Sequence, residues 1–214
     1  MPVSLKLATS LDGRIATASG QSRWITGERS REAVHRLRAQ HDAVLVGVET
    51  ALADDPELTV RLPGYAGRQP ARVVLDSRQR LDPGCKLAAS ARAIPTFVVA
   101  TTAPDPRLTA AGVRVLRVPA VGEDRPELKT VVQALAAEGL ASLFVEGGGQ
   151  VAASFLRCGL VDALEWFRAP LVIGGEGRPA VGALAVAGLA DAPHFRRTEV
   201  RELGDDLWER YERI

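Results

Sequence analysis

The sequence predicts an α/β protein: a mostly parallel central sheet with helices on both faces and an antiparallel C-terminal edge. Three observations carry this. Short β-branched runs alternate with amphipathic stretches along most of the chain. Several of those runs, such as residues 43–47 and 96–100, are apolar almost throughout, as strands buried on both faces are. The last segment, 195–212, reads instead as two strands around Gly204-Asp205, the signal of a hairpin.

Each element has a local reason. Residues 3–8 read as a strand with Lys6 between Leu5 and Leu7. Thr26 is placed to cap a helix over 28–39, with Ala33, Val34 and Leu37 inward and several Arg outward. Residues 43–47, bounded by Asp42 and Gly47, form a buried strand, and 71–75 and 96–100 read the same way. A short helical stretch precedes Asp54-Asp55-Pro56. The Gly- and Pro-rich segment 62–70 is a surface loop. Residues 113–118 are another strand. Pro126 opens a helix over 127–138, where Leu128, Val131, Val132 and Leu135 recur at helical spacing. A strand at 142–145, a helix at 150–158 and a strand at 163–169 complete the alternation.

Composition bounds the function. At 214 residues the chain suits one domain, 1–214. Lys plus Arg is 27 against 26 for Asp plus Glu, so no basic surface for nucleic acid or membrane is expected and any phosphate site must be local. Cys85 and Cys158 are too few for a disulfide framework, so reduced thiols and a cytoplasmic location are expected. The N-terminus has no apolar signal-peptide core, and no apolar run is long enough to span a bilayer. His35, His41 and His194 make no metal pattern; serine-hydrolase, P-loop and zinc-deaminase signatures are missing too.

The chemistry-bearing positions cluster near strand ends. Glu146-Gly147-Gly148-Gly149-Gln150-Val151-Ala152 reads as a strand, a glycine turn and a helix start. Free N–H groups and the helix dipole there suit a phosphate. Gly147 to Ala152 also fits the dinucleotide pattern, with Glu165 downstream, but it comes too late in the chain for a Rossmann domain. A tight turn with no ligand is the plain alternative. A second cluster, Gly174-Gly175-Glu176-Gly177, is either another site loop or a turn. Lys6 is a site residue or a solvent-facing lysine. Asp12 shapes a turn. Trp24 packs on a cofactor ring or in the core. Asp54 and Asp55 make a turn or bind sugar hydroxyls; Arg61 offers a fork to a phosphate, and Ser77 with Arg78 suits the 2′-phosphate of NADP.

These segments in order resemble one family. Residues 6–16 (KLATSLDGRIA), 20–26 (GQSRWIT), 37–43 (LRAQHDA), 50–61 (TALADDPELTVR), 74–77 (VLDS) and 145–148 (VEGG) are similar to the reductase domain of the bifunctional riboflavin biosynthesis protein RibD, across nearly the whole chain. Ala8-Thr9 departs from the Gly-Ala that relatives often carry there. The resemblance implies a dihydrofolate-reductase-like fold and a homodimer. It also implies NADPH-dependent reduction of the ribose of 5-amino-6-(5-phosphoribosylamino)uracil to the ribityl chain. It assigns cofactor contacts to Ala8, Trp24, Thr50, Asp54, Ser77 and the loop from Gly148 through Gly149, Gln150 and Val151. Substrate contacts fall on Ser22, Arg38, Leu58, Arg61 and Glu146. Lys6 and Glu146 are the candidates for polarising or protonating the reacting group. The N-terminal deaminase of the bifunctional relatives is absent from this sequence, so the chain is either a standalone reductase, with a separate deaminase or a different natural substrate, or an excised domain. The alternatives are a same-fold reductase of dihydrofolate or another pterin-like ring, and a nucleotide-binding protein without catalysis.

Overall fold

The computed structural model describes residues 1–122 and 124–214. In chain order the elements are β1 (Val3–Thr9), β2 (Arg14–Ala16), α1 (Glu28–Ala39), β3 (Ala43–Gly47), α2 (Val48–Asp54) and β4 (Ala71–Leu75). There follow α3 (Lys86–Ala89), β5 (Thr96–Ala100), α4 (Pro106–Ala111), β6 (Arg114–Arg117), β7 (Ala120–Val121), β8 (Arg125–Pro126) and α5 (Leu128–Ala137). The last are β9 (Leu143–Val145), α6 (Gly149–Arg157), β10 (Ala163–Arg168), β11 (Arg178–Pro179), β12 (Phe195–Leu203) and β13 (Asp206–Arg213). No described helix is long and apolar enough to cross a membrane. The chain forms two compact units. One comprises Met1 and His35–Gly147; the other joins Pro2–Val34 to Gly148–Ile214.

The first unit is built on five strands in the order β9-β3-β4-β5-β6, all parallel. Every residue of β3 and β5 is buried, which is why they read as nearly unbroken apolar runs rather than alternating ones. From α5, Leu128, Val131 and Leu135 enter the core. Each such side chain, fully buried, stabilises the fold by roughly 1.5–3 kcal/mol. Pro126 belongs to the short β8 and Glu127 precedes the helix, so α5 starts at Leu128, one residue later than the sequence suggests.

The second unit carries the strand order β12-β13-β10-β1. β1 runs parallel to β10, while β10–β13 and β13–β12 are antiparallel, so the expected antiparallel C-terminal edge is present. Gly204 has φ +75° and Leu203 pairs with Asp206, so Gly204-Asp205 is the two-residue hairpin turn the sequence signals. The cap expected from Thr26 is displaced. The Gly27 carbonyl accepts the Arg31 N–H at 3.2 Å. Asp206, buried in the hairpin, then accepts the Gly27 N–H at 2.7 Å and the Ser30 hydroxyl at 2.5 Å. A carboxylate from 176 residues away in sequence does the work of a local cap. The pairing of β2 with β11, and the short α3, α4, β7 and β8, carry no periodic pattern and are not legible in the sequence.

Arg72 breaks the apolar run of β4. It is 1% exposed, and its guanidinium donates to Ser90 Oγ (2.6 Å), Thr96 Oγ1 (2.5 Å), Ile94 O (2.9 Å) and Leu87 O (3.1 Å). Burial pulls its pKa down to about 10. Replacing Arg72 with Ala strands these acceptors in the core and is expected to cost about 3 kcal/mol, whereas Thr96→Val costs about 1 kcal/mol. Urea unfolding measures both, and a loss below about 1 kcal/mol for Arg72→Ala contradicts this reading.

Candidate functional site

In the unit of residues 35–147, Glu146 follows β9 directly. Its N–H donates to the Leu45 carbonyl at 2.8 Å, placing it at the carboxyl end of a parallel strand, where α/β folds bind ligands. Arg38 comes from the last turn of α1. Its Nε and Nη2 donate to Glu146 Oε1 and Oε2 at 2.5 and 3.0 Å, and its Nη1 donates to the Thr59 carbonyl at 2.9 Å. The two side chains are 11% and 7% exposed. Burial opposes the Arg38 cation, but the paired carboxylate outweighs it, and the net shift is upward. The resemblance assigns both Arg38 and Glu146 to the substrate; nothing in the sequence pairs them with each other.

Two of the remaining predicted residues, Leu58 and Arg61, lie around this pair, and His35 joins them. Leu58 precedes Thr59 in a left-handed conformation, φ +55°, and its side chain is buried. A ligand contact at this position therefore falls to its backbone. Arg61 is exposed; its backbone N–H donates to His35 Nδ1 at 3.2 Å and its guanidinium lies 3.5 Å from Glu57. His35 sits one turn before Arg38 on α1, on the same face. Partial burial lowers its pKa, and the charges of Arg38 and Arg61 lower it further. In the sequence His35 is one of three histidines without a metal pattern; its spacing from Arg38 is helical, but its place beside Arg61 has no sequence signal.

The other strand-end positions divide between structure and availability. Of the adjacent acids, Asp55 makes the turn. It is left-handed, returns its N–H to Ala51, and accepts the Lys86 N–H at 2.9 Å at the start of α3. Asp54 is exposed, and its carboxylate has no hydrogen bond or ion pair among the described residues. Thr50 is half-buried in α2. Ser77 follows β4; its carbonyl accepts from Thr101, while its hydroxyl is uncommitted among the described residues. Arg78 is exposed, 3.7 Å from Asp124.

In the other unit, Lys6 and Ala8 are half-buried and share a sheet face with their register partners Glu165 and Phe167. Glu165 is fully buried and accepts Trp208 Nε1 at 2.8 Å and Arg210 Nη1 at 2.7 Å. Burial raises its pKa against those two partners. Glu165 is thus committed to the hairpin, which leaves the Rossmann reading without its acid. Ser22 is exposed. Trp24 is not in the core: it is 73% exposed, has φ +73°, and carries the Arg31 guanidinium 4.4 Å above its ring. A bulky residue held left-handed is strained, and the cation–π contact helps to hold it.

Gly148 caps α6, whose first turn holds Gly149, Gln150 and Val151, with no side chain capping their N–H groups. A β-carbon at Gly149 would lie 2.5 Å from the Pro179 carbonyl oxygen, and the Gly182 N–H donates to the Gly149 carbonyl at 2.8 Å. The glycine is therefore required by chain packing as well as suited to a phosphate. The second glycine cluster is a turn. Asp12 accepts the N–H groups of Gly174 (2.8 Å) and Ile173 (3.1 Å) and the Ser10 hydroxyl (2.6 Å), so it pins that loop as well as shaping its own turn.

Residues 2–208 match the RibD C-terminal domain. The riboflavin biosynthesis protein RibD of Bacillus amyloliquefaciens is 37% identical over 210 residues, 96% of this chain and 55% of that protein. A Methanothermobacter thermautotrophicus protein named 2,5-diamino-6-ribosylamino-4(3H)-pyrimidinone 5′-phosphate reductase is 38% identical over 208 residues, 96% of this chain and 94% of its own length. The structure of Acinetobacter baumannii RibD aligns with a TM-score of 0.89 at 32% identity, over all of this chain and 58% of that one. This chain thus spans little more than half the length of the RibD relatives. The likeness bears out the expected dihydrofolate-reductase-like fold.

Two outcomes follow from these contacts. Hydrogen bonds from Ser10, Gly174 and Ile173 bring the Asp12 pKa down to about 2. Its folded value is below its unfolded one, so the stability it contributes is present in full above the unfolded pKa of about 3.9 and is lost as pH falls through about 2. A carboxyl NMR titration is expected to give that midpoint, and a value near 4 contradicts it. Gly149→Ala is expected to destabilise the protein by about 1–3 kcal/mol, through the Pro179 clash, in thermal or urea unfolding without any ligand.

Proposed function

The chain belongs to the RibD C-terminal domain family, and we propose that it catalyses NADPH-dependent reduction of the ribose of 5-amino-6-(5-phosphoribosylamino)uracil to the ribityl chain. The observation that carries the reading is the cluster of Arg38, Arg61 and Glu146 at the carboxyl end of the parallel strands. Two guanidinium groups around a low-pKa imidazole suit a sugar phosphate, and a buried carboxylate beside them suits the sugar hydroxyls. A pterin-like ring needs no such pair of cations.

The residues for the cofactor fit a phosphorylated dinucleotide. The uncommitted Ser77 hydroxyl and exposed Arg78 suit a 2′-phosphate, and the uncapped N–H groups of Gly149, Gln150 and Val151 suit a diphosphate. Asp54 suits a ribose hydroxyl; Ala8, Trp24 and Thr50 complete the contacts. When bound, the nicotinamide supplies the hydride that C1′ of the opened sugar accepts. The protein's task is orientation and proton delivery. Ser22, Arg38, the Leu58 backbone and Arg61 hold the sugar phosphate. Glu146 accepts hydrogen bonds from the sugar and aligns it. Lys6, the amine of the pair, donates the proton that the developing alkoxide or amine requires.

On this reading residues 1–214 act as one cytoplasmic catalytic domain that forms homodimers and reduces a ring that a deaminase has already acted on. A second reading is favoured by the near full-length match to the archaeal reductase: the ring carries an amino group at position 2, and reduction precedes deamination.

NADPH oxidation measured with each compound decides. Turnover is expected with a phosphoribosylaminopyrimidine and not with dihydrofolate, and the better of the two rings identifies the order of steps. NADPH binding without turnover on any of them indicates a non-catalytic protein. Lys6→Ala is expected to lower kcat by roughly 100- to 10,000-fold, and Glu146→Gln by about 100-fold. Unaltered turnover in either variant removes that residue from the mechanism.

A further inference from the structure

We propose that the substrate phosphate releases Glu146 by taking its place on Arg38, so that the carboxylate turns to the sugar only when a phosphorylated substrate is bound. The inference rests on the reading of the site given above.

The ion pair sets two demands in competition. Arg38 commits its Nε–Nη2 edge to Glu146 and an Nη1 hydrogen to the Thr59 carbonyl, so a phosphate that takes that edge displaces the carboxylate. Glu146 places both oxygens on Arg38, which leaves it fewer lone pairs and less freedom to turn toward a sugar while the pair holds. Both side chains are almost wholly buried, so neither can turn out to solvent instead.

One exchange resolves both. A guanidinium fork accepts a phosphate in the same bidentate geometry as a carboxylate. The incoming anion keeps the buried cation compensated while Glu146 leaves. A sugar without phosphate brings no anion, and it would leave a buried guanidinium unpaired, which is strongly unfavourable. The route is also marked. Arg61 is exposed and bound through its backbone to His35, and the charges of Arg38, Arg61 and Glu146 all act on that one ring. A phosphate drawn to Arg61 therefore arrives beside the ion pair. Phosphate recognition thus enters the chemical step and not only binding.

Phosphite dianion added in trans separates the two. With the dephosphorylated aminopyrimidine, saturating phosphite is expected to raise kcat/KM by about 100-fold, because the free anion performs the exchange. Independently of turnover, inorganic phosphate titrated calorimetrically into the ligand-free protein is expected to bind Glu146→Gln about tenfold more tightly than wild type, since no carboxylate competes for Arg38. If the phosphorylated compound is reduced but phosphite activates nothing, the exchange is wrong and the proposed function stands. If no phosphoribosylaminopyrimidine is reduced, the proposed function fails, and the phosphate titration alone decides the exchange. Equal affinity in the two proteins overturns it.

Discussion

Parallel pairing of β9, β3, β4, β5 and β6 is the constraint on which the site in residues 35–147 depends. Parallel strands joined by crossovers all point the same way, so their carboxyl ends meet at one edge. The register makes this concrete: Leu45 pairs with Val145, Gly47 with Leu75, and Leu75 with Val99. The ladder extends one residue beyond two of the strands. The Glu146 N–H reaches the Leu45 carbonyl and the Asp76 N–H reaches the Val99 carbonyl. Those hydrogen bonds fix the direction in which the chain leaves each strand. β3, β5 and β9 are buried throughout and β4 nearly so, and Glu146, Asp76 and Ser77 stand just past the ends of β9 and β4.

Two buried arginines in this unit show how differently one problem can be solved. Arg72 is neutralised by carbonyl and hydroxyl oxygens, and its pKa falls to about 10. Arg38 has a full counter-charge, and its pKa rises although burial opposes the cation. Two backbone carbonyls and two short hydroxyl side chains cannot move far, so Arg72 ties α3 and the turn after it to the start of β5. A carboxylate on a side chain can be replaced by another anion. The difference in partner marks one arginine as structural and the other as exchangeable.

The elements with strong two-faced or helical patterns were legible in the sequence: β3, β4, β5, α1, α5 and the β12–β13 hairpin. What was not legible depends on partners far away in the chain. The start of α1 is set by Asp206, not Thr26, and no window around residue 26 contains that carboxylate. Of the two places the sequence leaves open to Trp24, a cofactor ring or the core, the core is excluded: a left-handed backbone and Arg31 hold it outside. For the site, resemblance supplied Arg38 and Glu146 as neighbours of a substrate. Their mutual pairing joins residues 108 apart, and only the parallel register brings them within reach. His35 shows the same limit: an isolated histidine in sequence acquires meaning from Arg61, on a loop it meets only in the fold.

The glycine run is where a motif says both more and less than it seems to. At Gly149 a side chain is excluded by the Pro179 carbonyl, so that glycine alone is no argument for a ligand. The Pro179 contact is on the α-carbon side of the turn, whereas a phosphate would use the N–H groups, which no side chain caps. The two demands act on different atoms and do not compete. Gly148 separates them further. Its φ of −58° and ψ of 175° are open to any residue, so conformational freedom does not explain a glycine there. What a glycine offers at such a position is the absence of a side chain beside a helix N-terminus. That is the property a diphosphate needs, and it makes Gly148, more than Gly149, the residue on which the cofactor reading stands.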